Sequence, residues 1–364
     1  MSSNEATVIT EVQGRVGLIT LNRPKALNAL SLAMIRELTS ALRNWRDDPA
    51  VIAVAIRGVN KEGPFGAFCA GGDIRFFHAA ALAGDAALED FFTEEYALNH
   101  LIHTFPKPYI AFMDGICMGG GMGISQGASL RVVTERSKLA MPETNIGLFP
   151  DVGGGFFLSR CAGHLGEYLA LTGRVLHGKE ALSAGLADGF IEAQRLPKLW
   201  DSLANTPFEN GEAVQRWVQS HLQAAAPAAP WPADEVNATF GLPTVADMVA
   251  ALSAGQSAWA QETAQTLRQR SPLMLHVVLE QVRRARGMGL ADDLRMERDM
   301  VYRCFHLRPA ADSETVEGIR ALAIDKDHTP KWKPARIEDV KPDEVTAFFE
   351  SPWAPQDHPL SSLG

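Results

Sequence analysis

The chain has 364 residues, four cysteines and a formal net charge of −9. That length allows one large domain with an appendage, or two domains, with a substantial buried core. The acidic balance argues against nucleic acid or an anionic membrane as partner, and the scattered Cys69, Cys117, Cys161 and Cys304 form no CxxC pair that would suggest a disulfide framework or zinc site.

The start, Met1-Ser2-Ser3-Asn4-Glu5, is polar and acidic, unlike a secretory or transit segment, and no apolar run reaches membrane-spanning length. A cytoplasmic protein is the expectation. Residues 7–12 and 16–21 flank Gln13-Gly14-Arg15 and predict a hairpin. Ser31 is a good N-cap for a helix on which Leu32, Ile35, Leu38, Leu42 and Trp45 recur at helical spacing. The apolar run 51–56 reads as a strand covered on both faces. Helical patterns follow at 74–83 and 87–104, then strands at 108–113, 130–133 and 138–141. Further on, helices are expected at 152–161, 163–172 and 178–184, with a strand at 187–192. This alternation implies an α/β core over residues 1–195. Residues 223–233 form an Ala/Pro linker that cannot be a continuous helix. From 244 onward only helices are expected, so residues 196–364 read as an all-helical C-terminal region.

Chemistry is concentrated in residues 114–151. The strand Tyr109-Ile110-Ala111-Phe112-Met113 leads into Gly119, Gly120 and Gly121, and then into a helix start at Met122, Ile124 and Ser125. Such a turn leaves main-chain N–H groups unpaired, and glycine keeps no Cβ in the way of a ligand oxygen. Glu143 and Asp151 close the stretch, each directly after a proline in otherwise apolar surroundings. An anion-stabilising turn with two carboxylates points to acyl-group chemistry. The plainer readings are a tight packing turn, a solvated helix-start Glu143, and Asp151 as cap of the 152–161 helix. Gly123-Ile124-Ser125-Gln126-Gly127 also matches the G-x-S-x-G elbow of serine hydrolases, which needs a strand directly before the serine. The ten histidines show no metal spacing, and no phosphate-binding P-loop is present.

Four motifs in order carry a resemblance: Thr20-Leu21-Asn22-Arg23-Pro24-Lys25-Ala26-Leu27-Asn28-Ala29-Leu30, Phe68-Cys69-Ala70-Gly71-Gly72-Asp73-Ile74, the glycines from Gly115 to Gly121, and Met141-Pro142-Glu143 onward to Gly155. With them the sequence resembles the crotonase (enoyl-CoA hydratase/isomerase) superfamily. Within it, Pro142-Glu143-Thr144-Asn145-Ile146-Gly147-Leu148-Phe149-Pro150-Asp151, Glu94-Glu95-Tyr96 and the segment from Glu317 to Pro334 look like the 3-hydroxyisobutyryl-CoA hydrolases.

The resemblance implies a spiral of ββα turns with a helical C-terminal region over the acyl-CoA site. It places the oxyanion hole on the amides of Gly72 and Gly120, with Lys25, Ala26, Leu27, Ala70, Gly72, Asp73 and Ile74 along the CoA arm. Glu143 is then nucleophile or general base, Asp151 orients substrate or protonates the departing thiolate, and Glu95 contacts a hydroxyl on the acyl group. For Glu95 the plain alternative is an exposed helix face beside Glu94. Hydratases resembling this chain carry a second Glu where Gly123 stands here, and have Gly at the position of Asp151. That exchange disfavours water addition to a C=C bond and favours hydrolysis of the thioester, expected to be 3-hydroxyisobutyryl-CoA in valine breakdown. Hydratase/isomerase activity, a serine hydrolase using Ser125, and a non-catalytic acyl-CoA-binding protein are the alternatives. An acyl-CoA small molecule is the expected partner, no metal or redox cofactor is required, and self-association is left open. Lys331, Lys333 and Arg336 around Trp332 read either as a contact for CoA or as a solvated basic face.

Overall fold

The computed structural model describes residues 6–223 and 229–364. The polar start and residues 224–228 of the Ala/Pro stretch lie outside the described residues. The chain divides into two compact units, residues 1–72, 97–139 and 176–228 in one and 73–96, 140–175 and 229–364 in the other. The expected boundary at 195/196 therefore falls inside the first unit, and the two units interleave along the chain.

Among the described residues the first unit is built on nine strands: β1 (Val8–Gln13), β2 (Val16–Leu21), β3 (Ala53–Gly58), β4 (Tyr109–Met113), β5 (Ile116–Met118), β6 (Leu130–Val133), β7 (Lys138–Ala140), β8 (Leu176–His177) and β9 (Gly189–Phe190). One sheet runs β1-β2-β3-β4-β6-β9, and a smaller one β5-β7-β8. The β1–β2 hairpin is antiparallel and the pairs from β2 to β9 are parallel. Alternate residues Val16 and Leu18, Ala53 and Ala55, Ile110 and Phe112, and Leu130 and Val132 share one buried cluster with Leu199, Trp200, Leu203, Val214 and Val218. Those last five lie on two helices, Leu196–Asn205 and Gly211–Gln219, that cover this face. The run through β3 is buried at every position from Ala53 to Ile56, as a strand covered on both sides must be. Ser31 caps the Leu32–Asp47 helix through Met34 N, and Met34, Ile35, Leu38, Leu42 and Trp45 are its buried face. The strand expected at 187–192 shrinks to Gly189–Phe190, which pairs with Val132 and Val133 on one side and meets the chain on the other only through the bridge from Phe190 to Gln223.

The second unit is helical. Its long helices are Ala233–Phe240, Val245–Ala254, Ala258–Gln269, Pro272–Ala285 and Leu290–His306. Ser271 caps the Pro272–Ala285 helix at Met274 N, with proline in the first turn where its missing N–H costs nothing. Phe77, Phe91, Phe92 and Phe305 pack with ring centroids 4.8 to 5.7 Å apart, joining the Ile74–Ala83, Ala87–His103 and Leu290–His306 helices. Buried Arg298 donates to Glu89 and to Thr93, tying the same elements together. Among the described residues no helix is long and apolar enough to cross a membrane.

Candidate active site

In the first unit the two glycine bends are laced together by main chain. Cys69 N donates to Ile116 O (2.8 Å), Met118 N to Cys69 O (3.0 Å), and a parallel bridge pairs Cys69 with Cys117. Gly71 has φ +110°, and a Cβ there would lie 3.7 Å from the amide nitrogen of Gly120. Gly121 has no room either, since its Cβ would fall 2.3 Å from Cys69 O. Both positions therefore require glycine, one for conformation and one for approach. Gly120 opens a buried helix, Gly120–Gln126, behind a Gly119 N-cap that offers no side chain to the first amides.

Of the residues expected along the CoA arm, Leu27 and Ala70 meet through main chain in the first unit. Ala70 N donates to Leu27 O (3.0 Å) and Leu30 N to Gly71 O (2.8 Å). Leu27 and Asn28 both hold positive φ, and Leu27 is 43% exposed. Buried Asn28 sustains this bend: its Oδ1 accepts from Arg23 N (2.8 Å), and its Nδ2 donates to Val59 O and Ala67 O (both 2.9 Å). Asp73 caps the Ile74–Ala83 helix at Phe76 N.

Ser125 is not on an elbow. It is wholly buried inside the Gly120–Gln126 helix and donates to Gly121 O (2.8 Å), the back-bonding a mid-helix serine uses when no substrate is near. Ser125→Ala should leave thiol release from acyl-CoA within about threefold of wild type. A loss above about 100-fold, the scale of a missing catalytic group, would restore the serine reading.

In the second unit the three carboxyls that the sequence singles out are all buried. Glu143 is 7% exposed, Asp151 6% and Glu95 2%. The solvated reading of Glu143 and the exposed reading of Glu95 are thereby overturned. Glu143 opens the short Glu143–Ile146 turn, which closes at Gly147. That turn is held by Thr315, whose hydroxyl donates to Gly147 O (2.7 Å), by Arg270 donating to Asn145 Oδ1 (2.9 Å), and by the Trp332 ring against Gly147. Neither Glu143 Oε2 nor Glu95 Oε1 has a hydrogen-bond partner, an expensive state for buried polar atoms unless a ligand supplies one. Asp151 Oδ2 accepts from the Tyr96 hydroxyl at 3.0 Å. Burial pushes the Asp151 carboxyl up to about 7. Glu143 and Glu95 are driven well above the ordinary carboxylate range, first by burial and then by the charge of Asp151.

Asp151 is not a helix cap. The next helix is Gly154–Leu158, and its N-cap is Gly153. Tyr96 stands in the Glu94-Glu95-Tyr96 motif without a role assigned from sequence, and its hydroxyl is the group that bonds the Asp151 carboxyl. Around Trp332, the Lys333 ammonium pairs with Asp312 (2.6 Å) and Arg336 lies 3.5 Å from Glu338, so part of this basic group is neutralised by the chain itself. Among the described residues no three His, Cys, Asp or Glu side chains are grouped to hold a metal ion.

A family model described as enoyl-CoA hydratase/isomerase matches residues 16–349. The chain belongs to the enoyl-CoA hydratase/isomerase family. It is 42% identical to the mitochondrial 3-hydroxyisobutyryl-CoA hydrolase of Xenopus laevis over 93% of this chain and 87% of that protein. For the protein of the same name from Homo sapiens the identity is 38%, over 94% and 88%. Two solved structures of the family superpose over 95% of this chain at 37% identity: a carnitinyl-CoA dehydratase from Mycobacterium thermoresistibile (TM-score 0.84, 97% of its chain) and an enoyl-CoA hydratase from Rhodobacter sphaeroides (TM-score 0.83, 98%). The crotonase-like fold, with its helical C-terminal region, follows.

Proposed function

We propose that the chain hydrolyses a short β-hydroxyacyl-CoA thioester, 3-hydroxyisobutyryl-CoA, to the free acid and CoA, in valine breakdown. The observation that carries this reading is the buried carboxyl set Glu95, Glu143 and Asp151, together with a glycine at position 123. A hydratase needs a second acid at that position to handle one water, and glycine transfers no proton. The relatives named hydrolase support the same choice.

In this reading the Gly72 and Gly120 amides stabilise the thioester oxygen as it gains charge. One such donor is typically worth on the order of 100- to 1,000-fold in rate. Glu143 attacks the carbonyl carbon itself, or takes a proton from the water that does, and hydroxylamine trapping of an acyl-glutamate separates the two routes. The C–S bond breaks, and Asp151 delivers its proton to sulfur; on the first route water then cleaves the acyl-glutamate anhydride, giving the free acid and Glu143, with its proton returned to Asp151. Glu95 accepts a hydrogen bond from the acyl hydroxyl, which fills the vacancy at a buried oxygen. CoA arrives as part of the substrate, and the chemistry calls for no metal or redox cofactor. The proposed compartment is the cytosol of its own cell, while the vertebrate relatives are named mitochondrial.

The test is thiol release from 3-hydroxyisobutyryl-CoA, isobutyryl-CoA and other short acyl-CoAs, beside hydration of crotonyl-CoA. Wild type should release thiol fastest from the hydroxylated substrate and hydrate crotonyl-CoA at or near background. Hydration without thiol release would transfer the chain to the hydratases, and binding without turnover to non-catalytic acyl-CoA proteins. Glu95→Gln should erase most of the preference for hydroxylated over plain acyl groups, a change of about 10-fold or more in the ratio of kcat/KM values. An unchanged ratio removes Glu95 from substrate reading.

A further inference from the structure

Asp151 is followed by Val152 at φ +56° and Gly153 at φ +87°. β-branched Val152 holds this conformation only under constraint, and the turn leaves the amides at the start of the next helix open to an anion. Here the anion is another part of the protein. Glu297, on the Leu290–His306 helix, accepts from Gly153 N (2.7 Å) and Gly155 N (2.9 Å). Asp293, one turn earlier, accepts from Phe156 N (2.9 Å). Gln281, on the Pro272–Ala285 helix, donates both to Pro150 O (2.7 Å) and to Glu297 (3.0 Å). All three side chains have no exposed surface. Two acids buried side by side, with Arg160 as the cation near Asp293, remain costly, so their placement calls for a reason beyond packing.

An acid just upstream of a helix ordinarily bonds its first free amides. Asp151 is the acid so placed, and those amides are already taken. We propose that Glu297, with Asp293 and Gln281, is a positioning residue: it caps the Gly154–Leu158 helix from outside the loop, leaving the Asp151 carboxyl on the Tyr96 hydroxyl and free to give up its proton. This inference rests on Asp151 as the proton donor of the proposed hydrolysis. The titratable groups around Glu297 and Asp151 are Asp293 and Cys304 on the same helix, Glu95 and Tyr96 on the Ala87–His103 helix, Glu143 in its turn, and Arg160 near Asp293.

The experiment measures kcat, KM and thermal midpoint from pH 5 to 9 for full-length wild type, Glu297→Gln, Gln281→Met, Asp151→Asn and the Glu297→Gln/Asp151→Asn pair. Glutamine keeps one acceptor oxygen where glutamate has two, so one of the Gly153 and Gly155 amides loses its partner; Asp151 can turn onto it, and a hydrogen bond to its charged form lowers its pKa. The expected result for Glu297→Gln is a kcat lower by on the order of 10- to 100-fold, part of the roughly 100- to 10,000-fold a general acid supplies. KM should stay within about threefold, and the alkaline limb of the kcat profile should move to lower pH. Gln281→Met should show the same displacement in smaller measure, and it carries the test if Glu297→Gln does not fold. Because Glu297 acts through Asp151, the double variant should be no slower than Asp151→Asn alone. Additive losses, or limbs that stay where wild type has them, overturn the positioning role. Wild-type rate in Asp151→Asn instead overturns the reading of Asp151 as donor, so the two failures are distinguishable.

Discussion

Glu143→Gln should abolish thiol release, by on the order of 1,000-fold or more, and at the same time make the protein harder to unfold at pH 8. The first effect follows from chemistry: an amide neither attacks a thioester nor accepts a proton from water, and general-base help alone is worth roughly 100- to 10,000-fold. The second follows from electrostatics. Glu143 is buried, one of its oxygens has no hydrogen-bond partner, and its pKa in the folded chain lies well above the ordinary value. Between the unfolded and the raised folded value the native state holds the extra proton, so stability falls as pH rises through that window. Glutamine has no charge to desolvate and escapes that loss. The gain in thermal midpoint should therefore be small at pH 5 and larger at pH 8, by about 1–2 °C per kcal/mol, since the shift falls with chain length below the roughly 2–4 °C of a 150- to 250-residue domain. Thiol-release kinetics beside calorimetry at the two pH values checks both. A variant that is inactive but less stable at pH 8 would mean that Glu143 is a structural group.

Asp151→Asn should cost on the order of 100- to 10,000-fold with CoA as the leaving group. Most of that loss should disappear with a thioester of an electron-poor aromatic thiol, because a low-pKa thiolate departs without a proton. With Asp151 raised to about 7, the wild-type alkaline limb should begin near neutrality, since the donor is protonated below that value and spent above it. The variant should lack that limb. Equal losses with both thioesters would assign Asp151 to orientation of the substrate alone.

These effects depend on features of unequal legibility in the residue order. The Ser31 cap, the hairpin at Gln13-Gly14-Arg15 and the Leu290–His306 helix all follow from rules acting over a few residues, and they stand where expected. The Leu196–Asn205 helix was harder to see, for although Leu196, Leu199, Trp200 and Leu203 keep helical spacing, its N-cap is Arg195, which offers no capping acceptor. Glu95 and Tyr96 sit side by side in one motif, yet only Glu95 carries a role there, because the partner of Tyr96 lies 55 residues away.

What the order of residues decided alone was the inventory: which segments are strands and helices, where the chain must be glycine, and which acids follow a proline into apolar surroundings. Each of those depends on periodicity, backbone conformation or capping, and so on near neighbours. Tertiary structure decided which acids are buried, and which serve the backbone rather than the substrate. Gly153 meets Glu297 across 144 residues of chain, and no local rule reports that a charged side chain on a helix will face inward to find two unpaired amides. Burial of a polar group belongs to the surfaces that meet around it, and only the folded chain brings those surfaces together.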